Sequence, residues 1–152
     1  MLDLAADAPF ARRLVNSGRL STPANLPLAD AALGGAEKGV PVGAPAVDAP
    51  VMVDGEPGWL LDVINAAGPG FTMLSTGPGM ADLTVPGTQR LHVGASGALG
   101  VGKTDVFTER YGDDTAYLLR PDQHVAARFD RPDVAAVGAA LCRAKGLEAG
   151  PQ

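Results

Sequence analysis

The sequence predicts one α/β domain, a mixed sheet flanked by helices, carried behind an N-terminal helix and an extended arm. Three observations lead there. The chain has 152 residues, the size of a single domain with a proper core. Apolar residues make up 46% of it and charged residues only 19%, which excludes a mainly disordered polymer despite 20 glycines and 13 prolines. Finally, short apolar strand-like runs alternate with helix-like runs from about Trp59 onward, the pattern of a layered α/β core.

The segment "DAPFARRLVNSGRL" opens with Asp7 as N-cap and Pro9 in the first turn and closes at Gly18, so it predicts a short helix. From Leu20 to Pro50, Pro and Gly recur too often for a regular element to persist, which predicts a linker or wrapping arm. "GWLLDVINAAG" sets Trp59, Leu60, Val63 and Ile64 on one helical face and stops at Gly68 and Pro69. Trp59, Leu60 and Leu61 are read as core anchors. "FTMLST", Phe71 to Thr76, and "QRLHVGA", Gln89 to Ala95, are strands. "DVFTERYG" gives a short helix that pairs Val106 and Phe107 with Arg110 and Tyr111 and ends at Gly112. "TAYLLRPDQHVAARF" predicts a hairpin: Pro121 pre-sets its turn, Asp122 bonds back to the backbone, and Gln123 falls where a left-handed residue is needed. "DRPDVAAVGAALCRAKG" is a final helix with Asp130 as N-cap, Pro132 and Asp133 near its start, Arg143 and Lys145 near its end, and Val134, Val137 and Leu141 as its buried stripe.

Helix, strand, strand, helix, hairpin, helix is a thioredoxin-like order. The domain boundaries that follow are an arm over 1–50, a thioredoxin-like domain over 51–146 and a tail over 147–152.

Charge and composition narrow the function. A net charge of −5 with 12 basic residues and no basic stripe argues against nucleic acid. No apolar run reaches membrane-spanning length and no secretory leader is recognisable, so a cytoplasmic protein with no membrane partner is expected. The single Cys142 makes no internal disulfide and, beside Leu141, reads as a small apolar packing residue; a single-cysteine thiol redox protein is the competing reading.

"GALGVGKT", Gly97 to Thr104, fits the phosphate-loop pattern, with Lys103 and Thr104 in the roles of charge neutraliser and magnesium hydroxyl. Its context is poor. The helix after it is short, Asp105 puts negative charge beside the proposed phosphate, and no acidic strand end follows for magnesium. The thioredoxin-like order calls for C-x-x-C after the first core strand, yet "STGPGM" stands there, and Asp113-Asp114-Thr115 stands where a proline precedes the hairpin. His92 and His124 are isolated and read as strand or turn residues, not metal ligands. Ser75 and Ser96 lack both G-x-S-x-G and an indicated base, and Asp113 and Asp114 read as a solvated turn. No catalytic, cofactor-binding or metal-binding residue is therefore expected.

Taken in order, "PFARRLVNSGRLSTPA", "VGAPAVDAPV", "GWLLDVI", "GFTMLS", "ERYG" and "AYLLRPDQHVAARF" resemble the C-terminal end of FAD-dependent aromatic hydroxylases of the phenol hydroxylase and hydroxyphenylpropionate hydroxylase type, from Pro9 to about Leu141. The resemblance implies a thioredoxin-like domain appended to such a monooxygenase, with "FARRLVNSGRLS" leaving its catalytic portion. The family's flavin motif G-x-G-x-x-G is absent and no later Gly-Asp stands at a matching position, so no FAD and no independent hydroxylation are expected of this chain. The family's turn reads R-P-D-G where this chain has Gln123. The partners implied are the flavoprotein catalytic portion or a second copy, as in a dimer.

Overall fold

The computed structural model describes residues 39–94 and 101–147. The expected N-terminal helix, most of the arm, Ser96, the first half of "GALGVGKT" and the end of the tail lie outside them. The described elements are β1 (Pro50–Val53), β2 (Glu56–Trp59), α1 (Leu60–Ala67), β3 (Thr72–Thr76), β4 (Gln89–Val93), β5 (Val101–Lys103), α2 (Asp105–Tyr111), β6 (Thr115–Leu119), β7 (Val125–Asp130) and α3 (Val134–Ala144), with a 3-10 turn at Pro78–Met80.

The main sheet runs β4-β3-β6-β7, with β3 and β4 parallel and the other neighbours antiparallel. It is the mixed, helix-flanked sheet of the thioredoxin-like order. Strands β3 and β6 lie in its middle, and every residue of both is buried. Alternation along them divides two cores. Leu74, Leu91, Val93, Tyr117 and Leu119 face α1 and α2 through Leu60, Ile64, Phe107 and Tyr111. Met73 and Ala116 on the opposite face meet Val137 of α3 together with Met80 and Val85, while Leu118 and Ala127 meet Ala140 and Leu141.

A second sheet, β2-β1-β5, was not legible as strands in the sequence. Its signal was present: Asp54 and Gly55 join β1 to β2 with φ of 51° and 89°, the two left-handed positions of a primed hairpin turn. The surrounding Pro and Gly hid the apolar alternation. Strand β5 meets the end of β4 at a single bridge, where Gly94 N donates to Val101 O (3.1 Å) and Lys103 N to Gly94 O (3.0 Å). Upstream, Val40, Ala44, Ala46 and Ala49 are buried in the main core, so Gly39–Ala49 wraps the domain; Gly43 and Ala44 exchange backbone hydrogen bonds with Val125 at the start of β7.

The hairpin turn forms as expected. Gln123 N donates to Arg120 O (2.9 Å), His124 N donates to Asp122 Oδ1 (3.2 Å), and Gln123 takes a left-handed φ of 63°. The strain of a non-glycine residue there is partly offset by a hydrogen bond from Gln123 Nε2 to Asn65 Oδ1 (2.7 Å).

Three expectations are corrected. Trp59 is not a core anchor: it is 52% exposed, because it ends edge strand β2 and caps α1 in extended conformation, leaving Leu60 and Ile64 as the buried face of the helix. Its side chain cannot cap α1, and the orphan N–H of Leu61 is satisfied from a distance by Asp48 Oδ1 (3.1 Å), which also sets a negative charge at the positive helix end. The N-cap of α3 is Asp133, whose carboxylate accepts from Ala136 N (2.6 Å); Asp130 still belongs to β7, and Arg131, at φ 55°, turns the chain before Pro132. Val134 is 49% exposed, since a stripe of Val137, Ala140 and Leu141 leaves the first turn of α3 overhanging.

Asp133→Ala should therefore lower stability by about 1 kcal/mol, the usual worth of an N-cap, whereas Asp130→Ala should change it by less than about 0.5 kcal/mol. Urea midpoints of the two variants check the assignment.

Candidate functional site

In a thioredoxin-like sheet the reactive position follows the first core strand and faces the loop before the hairpin. Here that position is the end of β3, "STGPGM", opposite Asp113-Asp114-Thr115. It is closed by neutral hydroxyls. Thr76 Oγ1 accepts from Thr115 N (3.1 Å) and lies 3.3 Å from Thr115 O and 3.4 Å from Gly112 O. Thr115 Oγ1 in turn donates to Tyr111 O (2.8 Å). Gly77 follows with φ 86°, and Asp114 packs so tightly on it that a Cβ there would collide with Asp114 Oδ1. A side chain there would have to displace the Asp114 carboxylate and adopt a left-handed backbone that favours glycine. Beside it a cleft of about 140 Å³ is lined by Gly79, Met80, Asp114, Arg131 and Pro132.

Ser75, set aside for want of a base, has a histidine at hand. The parallel register places His92 beside it, with Ser75 Oγ 3.0 Å from His92 Nδ1 and 3.4 Å from the carbonyl of Met80. Nothing in the sequence fixes the register of β3 against β4, so the pair was not legible there. Ser75 is fully buried and His92 is 4% exposed, so the pair has no access to a substrate and is a structural contact beneath the Pro78–Thr88 segment. Burial, helped by the cationic Arg90 and opposed by Asp82, holds the His92 imidazole below its ordinary 6.5.

The phosphate-loop reading loses its geometry. Lys103 lies within β5 and forms an ion pair with Asp113. Thr104 is the N-cap of α2: its hydroxyl accepts from Phe107 N (3.1 Å) and donates to Pro50 O (2.7 Å). Among the described residues, strand β5 leads into a helix of only seven residues. Asp113 and Asp114 do not act as a carboxylate pair, one being bound to Lys103 and the other turned onto Gly77. His124 sits in the hairpin turn against Asp122. Cys142 is half-buried on α3. Among the described residues there is no cluster of three His, Cys, Asp or Glu suited to a metal, and no helix is long and apolar enough to cross a membrane. The cleft is well below the roughly 300–1,000 Å³ of small-molecule sites.

Two outcomes follow. Unfolded His92 takes up a proton near pH 6.5 while the folded imidazole resists it, so the unfolded state binds more protons below that value and stability falls as pH drops through it. His92→Asn, which keeps a polar atom near the Nδ1 position, should remove this part of the slope when denaturant midpoints are compared between neutral and mildly acid pH. For the phosphate loop, titration calorimetry with ATP and magnesium should give no binding heat. Thr104→Ala should cost about 0.5–2 kcal/mol of stability as a lost cap, and Lys103→Ala less than about 1 kcal/mol as a lost surface pair.

No protein-family model matches the chain, and no curated protein matches it. Two solved structures are similar to part of it. A ternary complex of aklavinone-11 hydroxylase with FAD and aklavinone is 26% identical over 66% of this chain and 20% of that one, at a TM-score of 0.49. The flavin-dependent monooxygenase PieE, in complex with FAD and substrate, is 23% identical over 82% of this chain and 24% of its own, at a TM-score of 0.47. The chain spans 20% and 24% of the lengths of these two proteins.

Proposed function

We propose that this chain is a redox-inactive accessory domain of a flavin-dependent aromatic hydroxylase, which contributes packing and holds no flavin of its own. The carrying observation is the end of β3. The sheet has the thioredoxin-like strand order, while at the reactive position Gly77 is pressed against Asp114 and the preceding Thr76 shares hydrogen bonds with Thr115 and the backbone. The ordered hydroxylase-like segments from Pro9 to about Leu141 support the same reading. FAD and the hydroxylation chemistry then belong to the catalytic portion, and the domain's task is to dock on that portion or on a second copy.

Exposed apolar residues give such docking something to bury: Trp59 at 52%, Val47 at 44% and Val106 at 38% exposure, on segments joined by the bonds of Thr104, Arg110 and Tyr111 to residues 47–50. Nucleotide binding through Lys103 and thiol exchange through Cys142 are the weaker readings, since Lys103 is committed to Asp113 and Cys142 stands half-buried within α3 and not in the segment that follows β3.

The test is a mixing experiment with a hydroxylase catalytic portion that lacks its own terminal domain. Co-elution of the two, or self-association of the chain alone, is expected, with no flavin absorbance in the purified chain and no dithiothreitol-dependent reduction of insulin. A strictly monomeric chain that binds no such portion, a yellow chain, or catalysed insulin reduction would each overturn the proposal.

A further inference from the structure

Among the described residues, strand β2 is a free edge of its sheet. Glu56, Pro57 and Trp59 are exposed, and β1 pairs with β2 on only one side. Which backbone groups point outward follows from the antiparallel alternation. Leu60 N donates to Ala49 O (2.9 Å), so Leu60 and Ala49 are a hydrogen-bonded pair. Two-residue steps along the register make Gly58–Val51 and Glu56–Val53 the next such pairs. An independent contact agrees: the carbonyl of Pro50, opposite Trp59, is turned the other way, toward β5, where it accepts the Thr104 hydroxyl at 2.7 Å. The residues of β2 whose backbone polar groups face the open edge are therefore Pro57 and Trp59.

Only part of that edge can pair. Proline has no N–H to donate. The carbonyl of Trp59, as an N-cap residue, is turned into the first bond of α1. The edge is left with the Trp59 N–H and the Pro57 C=O, which do not make the exchanged N–H and C=O of an antiparallel pair. A block here has a purpose. Pro50, Met52, Pro57 and Trp59 alternate onto one face of the hairpin, all at least partly exposed and all apolar, and an apolar edge with a complete ladder invites another strand.

We propose that Pro57 is a built-in block against self-association through β2. It withholds the one backbone donor that would let two copies of this chain join their β2 strands antiparallel about a two-fold axis at residue 57. The inference goes beyond the accessory-domain reading and does not depend on it: it limits contacts with other chains at this edge to side chains, whatever the chain docks on.

The test compares Pro57→Thr with wild type by sedimentation over a concentration series, with hydrogen exchange at the new amide. The substitution restores a strand-compatible residue with an N–H. The expected result is an increase of about twofold in weight-average mass over wild type at high concentration, with the residue 57 amide fast-exchanging when dilute and protected when concentrated. Glu56→Thr, whose N–H faces β1, should leave the mass at the wild-type value. An unchanged mass for Pro57→Thr with an unprotected amide would overturn the proposal, as would equal association of Glu56→Thr. If Pro57→Thr fails to fold by circular dichroism, Pro57→Val is read against the same outcomes. Because every mass is compared with wild type, failure here is separable from failure of the docking experiment above.

Discussion

Tyr111 joins the parts of this domain. Its ring stacks on Phe107 at 5.0 Å and meets Tyr117 edge-on at 5.3 Å, which fixes α2 against the centre of the main sheet. Its hydroxyl donates to Val47 O (2.6 Å), and its carbonyl receives both the Tyr117 hydroxyl (2.7 Å) and the Thr115 hydroxyl (2.8 Å). The wrapping segment, the second helix and the central hairpin therefore meet at one residue. Burial pushes its phenol well above the ordinary range, so it is a neutral donor at physiological pH. Removing the ring would open a core cavity and leave the Val47 carbonyl and its neighbours to repair themselves.

The same node bears on the closed end of β3. Thr115 holds Thr76 through its backbone N–H and C=O, while its own hydroxyl is directed onto the carbonyl of Tyr111. What would be a reactive loop in a thiol enzyme has become part of a hydrogen-bond network that begins in α2.

The parts of the fold that local physics determines were legible in the sequence. Strands β3, β4, β6 and β7 and all three described helices stood out from apolar runs bounded by Gly and Pro, and the turn at Gln123 was readable down to its left-handed residue. Those that depend on long-range partners were not. Trp59 looked like the start of an apolar helical face because helix periodicity cannot tell a helix residue from the strand residue that precedes it. Asp130 reads as the cap because no local signal shows that β7 runs through it; the structure leaves the cap to Asp133. The Ser75–His92 contact required a parallel register that no local signal carries, and β5 exists because β1 is there to pair with it.

Between the two sheets the backbone ladder, among the described residues, amounts to the pair of bonds at Gly94. The β1–β2 hairpin is held by its ladder to β5, by Val51 in the main core, and by contacts at its base: Pro50 to Thr104, and Asp48 to Leu61 and Arg110. It is a graft on the domain more than a continuation of its sheet. Its tip, at Asp54 and Gly55, could lengthen, shorten or change chemistry over evolutionary time without disturbing the four central strands, provided that the stem at residues 48–50 still meets the two helices.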